Sequence, residues 1–103
     1  MTDLKIYEEK AELLKALAHP QRLCIVHGLL DRKCNVSKMQ ECLALPQSTV
    51  SQHLSRLRAA GIIRGERCGP EICYSVVSDE ARRIVEIIFN DLPEKPLDKI
   101  PPR

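Results

Sequence analysis

Between Leu43 and Ser55 the chain reads LALPQSTVSQHLS, thirteen residues without one Lys, Glu or Asp. Gln47, Ser48, Thr49, Ser51, Gln52 and Ser55 donate and accept hydrogen bonds without carrying net charge. On a helix this chemistry suits the edges of bases in a major groove, where Gln, Ser and Thr match donor and acceptor patterns. Arg56 and Arg58 follow directly, and Arg64 and Arg67 lie a little further on; guanidinium groups there suit phosphate. His53 falls at the boundary between the polar and apolar faces, either touching phosphate through a ring nitrogen or packing beneath the reading face. A plain solvated helix is the bland alternative, but such helices carry Glu and Lys for solubility. A carboxylate-free surface instead fits a polyanion.

Five cysteines form the second set: Cys24, Cys34, Cys42, Cys68 and Cys73. Their number is odd, and nothing at the N-terminus has the basic-then-apolar order of a secretory signal. A reducing cytoplasm and free thiols are expected, not a disulfide framework. Cys24, between Leu23 and Ile25, reads as a small core hydrophobe, and Cys42 as packing. Cys34 falls in a polar connection and looks exposed. Cys68 and Cys73 flank Gly69-Pro70, a turn signal. A loop over residues 69–72 makes them face each other; a turn centred on Cys68-Gly69 leaves them out of line. Cys68, Cys73 and Cys34 are therefore the candidate effector thiols, open to oxidation or to a thiophilic metal or metalloid. No cofactor is required. His19 before Pro20 reads as a helix cap and His27 as structural.

The elements that position these groups follow from periodicity. Tyr7 to Ala18 carries Ala11, Leu14, Leu17 and Ala18 at helical spacing. Pro20 suits the first position of a second helix reaching about Leu30. Asn35 is an N-cap for a short third helix ending near Leu43, and Ala44-Leu45-Pro46 makes a tight turn. A fourth helix spans Gln47 to Ala60, its Val50, Leu54 and Leu57 facing inward, with Gly61 as its stop. Ile62 to Arg67 and Ile72 to Val77 read as a β-hairpin. Ser78 caps a last helix over residues 79–90. The order is mainly α with one small hairpin: a winged helix-turn-helix, with residues 1–92 as the folded domain and the Pro-rich segment 93–103 as an extended tail.

In the last helix Ala81, Ile84, Val85, Ile87, Ile88 and Phe89 occupy more than one stripe. One stripe covers the parent domain and the surplus asks for a second copy. Leu14, Ile84, Val85 and Ile88 are the candidate dimer contacts. Two reading helices related by a two-fold axis then face successive major grooves, about 34 Å apart, on an inverted repeat.

ALAHPQRLCIV, LPQSTVSQHLSRLRAAGII and GPEICYSV closely resemble the ArsR/SmtB family of bacterial metalloregulatory and related repressors, over roughly residues 10–90. The resemblance implies a winged-helix homodimer joined through its first and last helices, with the fourth helix on the operator and release by an effector. It also implies where metal sites lie in the family. A Cys pair opening the third helix corresponds here to Asn35 and Ser37. A second site on the last helix needs His, which Ser78 to Asn90 lacks. Neither is present in its usual form.

Composition sets the remaining limits. With 103 residues the chain suits one domain. Its formal charge of +2 is unevenly spread: from Pro20 to Cys68 eight basic residues stand against three acidic ones, a net +5. A basic middle between acidic flanks suits a localised polyanion-facing surface. No run of about 18 apolar residues is available to span a membrane. No glycine-rich phosphate loop, paired acids or nucleophile–base spacing suggests an enzyme. A winged-helix protein-interaction module remains the rival, and the absence of acids between Leu43 and Ile63 speaks against it.

Overall fold

The computed structural model describes residues 3–90; the expected tail and the boundary after Leu92 lie outside them. Eight elements follow in order: α1 (Leu4–Leu17), α2 (Pro20–Gly28), β1 (Cys34–Asn35), α3 (Val36–Leu43), α4 (Gln47–Ala59), β2 (Ile63–Cys68), β3 (Glu71–Val76) and α5 (Asp79–Ile88).

Helix α1 begins earlier than its apolar periodicity suggests, because the Asp3 side chain accepts from the Lys5 N–H at 2.9 Å and caps it. Its buried stripe is Leu13, Ala16 and Leu17, whereas Ala11 and Leu14 face outward. His19 caps α2, its Nδ1 accepting from the Gln21 N–H at 3.1 Å, with Pro20 in the first turn. Asn35 caps α3 through the Lys38 N–H, and Ser78 caps α5 through the Ala81 N–H.

Two backbone positions set the helix-turn-helix. Ala44 closes α3 in the left-handed region at φ 55°, turning the chain sharply into α4. Gly61 stops α4 at φ 74°, where a side chain is strained.

The sheet order is β1-β3-β2, antiparallel throughout. Strand β1 was not foreseen: residues 31–34 read as a polar connection, yet Cys34 and Asn35 pair with Tyr74 and Cys73. Two residues give no period to detect. Val50, Leu54 and Leu57 of α4 meet Ile25, Val26 and Leu29, Met39 of α3, Ile62, and Val85 of α5 in one aliphatic core. Arg82 of α5 donates to the Leu30 carbonyl beyond α2, and Lys10 of α1 pairs with Glu80 of α5 at 2.7 Å.

Candidate nucleic-acid interface

Burying Val50, Leu54 and Leu57 turns the opposite side of α4 to solvent, so Gln47, Ser48, Ser51, Gln52 and Ser55 are exposed and Thr49 is half-buried. The other helices whose starts are described each receive a side-chain cap; α4 begins at Pro46 without one. The Thr49 and Val50 amides donate to the Pro46 carbonyl, and no side chain closes the end, where the positive end of the helix dipole favours an anion.

The arginines divide. Arg58 is exposed and its Nη2 lies 3.3 Å from Ser55 Oγ. Arg64 and Arg67 are exposed on β2, along the wing. Arg56 is half-buried and turned toward α1, its Nη2 3.4 Å from Glu12 Oε2. Glu12 also meets Lys15 at 3.6 Å.

His53 lies on the inward side of α4, not on its exposed polar face: only 8% of it is exposed. Its Nε2 lies 2.7 Å from Gln21 Oε1, and its Nδ1 is 3.5 Å from Arg22 Nη1. The His19 ring sits 4.6 Å away, tilted by 55°. A direct phosphate contact by this ring is corrected accordingly. The signal was in the sequence: position 53 is three residues from Val50 and four from Leu57, on the buried stripe. Burial first, then His19 and Arg22, hold the His53 imidazole below its ordinary range.

Arg22 was not foreseen as part of any site. Its Nε donates to the Ala16 carbonyl at 2.6 Å and its Nη2 to the Lys15 carbonyl at 3.3 Å. Burial, then the charge of Arg56, lower its affinity for its proton.

The thiols also differ from expectation. None of the five is in a disulfide. Cys34 is buried, not exposed; its S–H donates to the Asn35 carbonyl at 3.5 Å, and burial pushes its pKa up. Cys24 is half-buried, and burial followed by the nearby Cys42 raises it. The turn is Gly69-Pro70, so Cys68 pairs with Glu71 and Cys73 with Glu66. The two cysteines are thus diagonal neighbours on one face of the hairpin, neither directly opposed nor on different faces. The Cys73 thiol is pushed up to about 11, first by its hydrogen bond with Cys68, then by burial and by the charges of Cys68, Glu71 and Cys34. Among the described residues no group of three or more His, Cys, Asp or Glu is arranged to hold a metal ion.

Of the candidate dimer residues, Leu14 and Ile88 are about half exposed and Ile84 is half-buried. Val85 is fully buried in its own core and is corrected from interface to core. Leu4, Ile6, Tyr7 and Ile87 extend the exposed apolar surface.

A family profile described as bacterial regulatory protein, arsR family, matches residues 19–73. The transcriptional repressor PagR of Bacillus anthracis is 44% identical over 82 residues, covering 79% of this chain and 82% of that protein. Its crystal structure has a TM-score of 0.75 at 40% identity, over 84% of this chain and 99% of the other. The HTH-type transcriptional repressor SmtB of Mycobacterium tuberculosis is 41% identical over 81 residues, 79% of this chain but 60% of its own length. Reduced HlyU from Vibrio cholerae N16961 has a TM-score of 0.81 at 31% identity, covering 87% of this chain and 95% of the other.

Proposed function

The chain belongs to the arsR family of bacterial regulatory proteins, and we propose that it is a dimeric transcriptional repressor in the cytoplasm, holding α4 in the major groove of an inverted-repeat operator. The observation that carries this reading is the exposed, carboxylate-free face of α4 above an uncapped N-terminus. Gln47, Ser48, Thr49, Ser51, Gln52 and Ser55 face base edges; Arg58, Arg64 and Arg67 take phosphates. Arg56, paired with Glu12, reaches phosphate only by exchanging that partner. The repressors PagR and SmtB support the sign of regulation.

The second copy covers the apolar surface of Leu4, Ile6, Tyr7 and Leu14 on α1 with Ile84, Ile87 and Ile88 on α5. Exposed groups of this size and number mark an interface in a small domain.

A duplex selected by the protein from a randomised pool tests the function. Affinity for it falls steeply with salt, in proportion to the phosphates neutralised. Gln52→Ala weakens the selected duplex by about 5- to 150-fold, a loss of about 1–3 kcal/mol, and leaves random duplex nearly unchanged; Arg58→Ala weakens both. A purified protein that is monomeric at micromolar concentration, or that ignores every duplex at low salt, refutes the proposal.

Release by the wing thiols is supported by the shared face and contact of Cys68 and Cys73. A hydroperoxide oxidises the pair to a disulfide: the two sulfurs bond, both thiol protons and the peroxide oxygens leave as water and, for an organic peroxide, alcohol. Diagonal cross-strand positions lie about 7–8 Å apart, wider than a relaxed disulfide, so closing the bond shears the wing tip that carries Arg67. A thiophilic ion bridging the same sulfurs is the alternative effector. Buried Cys34 takes no direct part. Unchanged duplex affinity with both wing thiols fully oxidised ends this reading.

A further inference from the structure

We infer that His53 is a positioning residue whose neutral ring seats the reading helix against α1 and α2, so that specific DNA affinity falls when the ring takes a proton. The inference rests on the repressor reading for its DNA readout only.

The hydrogen bonds select one form of the ring. Nε2 faces the Gln21 side-chain carbonyl at 2.7 Å, so it carries the proton and donates. Nδ1 faces an Arg22 N–H, which can only donate, so Nδ1 must be bare. The same guanidinium is occupied with the last-turn carbonyls of α1 at Ala16 and Lys15, where a cation suits the negative end of the helix. His53 and Arg22 thus join three helices: α4, which reads; α2, which supports it; and α1, which carries the apolar surface for a second copy.

A second proton on Nδ1 sets two donors and two like charges against each other in a site with little water. The groups around the ring do not relieve this. From α2 it faces Arg22 and, at the cap, His19. From its own helix Arg56 adds positive charge to Arg22. From α1 the carboxylate of Glu12 is shared between Arg56 and Lys15. Either Arg22 releases α1 or the middle of α4 moves, and Gln52 and Ser51 move with it.

The sign follows from the direction of the shift. Folding favours the neutral ring, so nothing is lost above the ordinary imidazole range near pH 6.5, and seating weakens as pH falls below it toward the depressed folded value. General electrostatics runs the other way, because acid adds positive charge and tightens binding to phosphate. A loss of specific affinity in acid is therefore diagnostic.

The test measures binding from pH 7.5 to 5.0 at fixed salt, using a duplex selected by the native protein from a random pool and an unselected duplex. The native protein loses about tenfold in selected-over-random preference over this range. His53→Gln, which keeps a donor and an acceptor but does not titrate, stays close to native at pH 7.5 and is flat. His19→Asn, which caps α2 without a titrating ring, still falls, but from a higher pH, because one of the like charges that hold the His53 imidazole down is gone. A flat native profile, or an equal fall in His53→Gln, overturns the inference. Nitrogen NMR of the native protein supplies the readout that needs no DNA: the neutral Nε2–H form is expected at pH 7, with α4 amide shifts moving as His53 protonates. An Nδ1–H form, or α4 amides indifferent to that protonation, overturns it equally. If no duplex is selected at all, the repressor reading fails while the NMR result still decides the seating.

Discussion

Along α4 the inward positions are taken up in succession: Val50, His53, Leu54 and Leu57 are all buried, and the polar side chains are carried on a helix fixed along its whole length. Along the hairpin this support runs out. Ile63, Tyr74 and Val76 are buried at its base, whereas every residue from Glu66 to Ile72 is exposed. On the proposed reading, a helix that places Ser51 and Gln52 against particular base edges needs fixed registration. A wing whose proposed role is to meet phosphates with Arg64 and Arg67 tolerates displacement, because a charge acts over several ångströms. The rigid region suits specificity and the loosely held one suits regulation.

This contrast breaks most visibly at Leu54. Leu54→Ala empties a fully buried site and costs about 3 kcal/mol, lowering the melting temperature by about 4–8 °C for each kcal/mol. A loss under about 1 kcal/mol in calorimetry contradicts a firmly packed α4. Gly65→Ala probes where the wing's support ends, since the added Cβ meets Ile72 Cγ2 at 2.9 Å and the Tyr74 ring at 3.0 Å. Overpacking there costs about 1–2 kcal/mol, and an unchanged melt means that the hairpin is loose even at its base. Ala44→Gly relaxes the left-handed residue between α3 and α4. It stabilises by about 0.5–1 kcal/mol in chemical denaturation, and destabilisation means that the turn geometry is wrong. Cys68→Ser at the exposed wing tip changes stability by less than about 0.5 kcal/mol. A larger change there erases the difference between the two regions.

The fold was legible where long periods or chemical punctuation exist. Asn35, Ser78, Pro20 and Gly61 stand at the helix boundaries that their chemistry suggests, and the inward triad of α4 lies where its spacing places it. What escaped depended on contacts between segments distant in sequence. The two-residue strand at Cys34–Asn35 exists only because β3 lies beside it, and that pairing buries a thiol that reads as exposed. Val85 looks like any other apolar residue of α5 until the core claims it. The link from Arg22 to His53 spans 31 residues, and no local pattern announces such a pair. The polar face of α4 itself was visible, because an absence of carboxylates is a property of composition and needs no partner to be seen.

Among the described residues the strand order leaves β2 at the edge of the sheet, with one side unpaired and most of its residues exposed. Such an edge is a template on which further chains can stack. Arg64, Glu66 and Arg67 lie along it with Gly65 between them, and charge with poor strand propensity discourages that stacking. Besides the phosphate contacts proposed for them, these arginines guard that edge, and replacing them with neutral β-formers invites fibrous self-association.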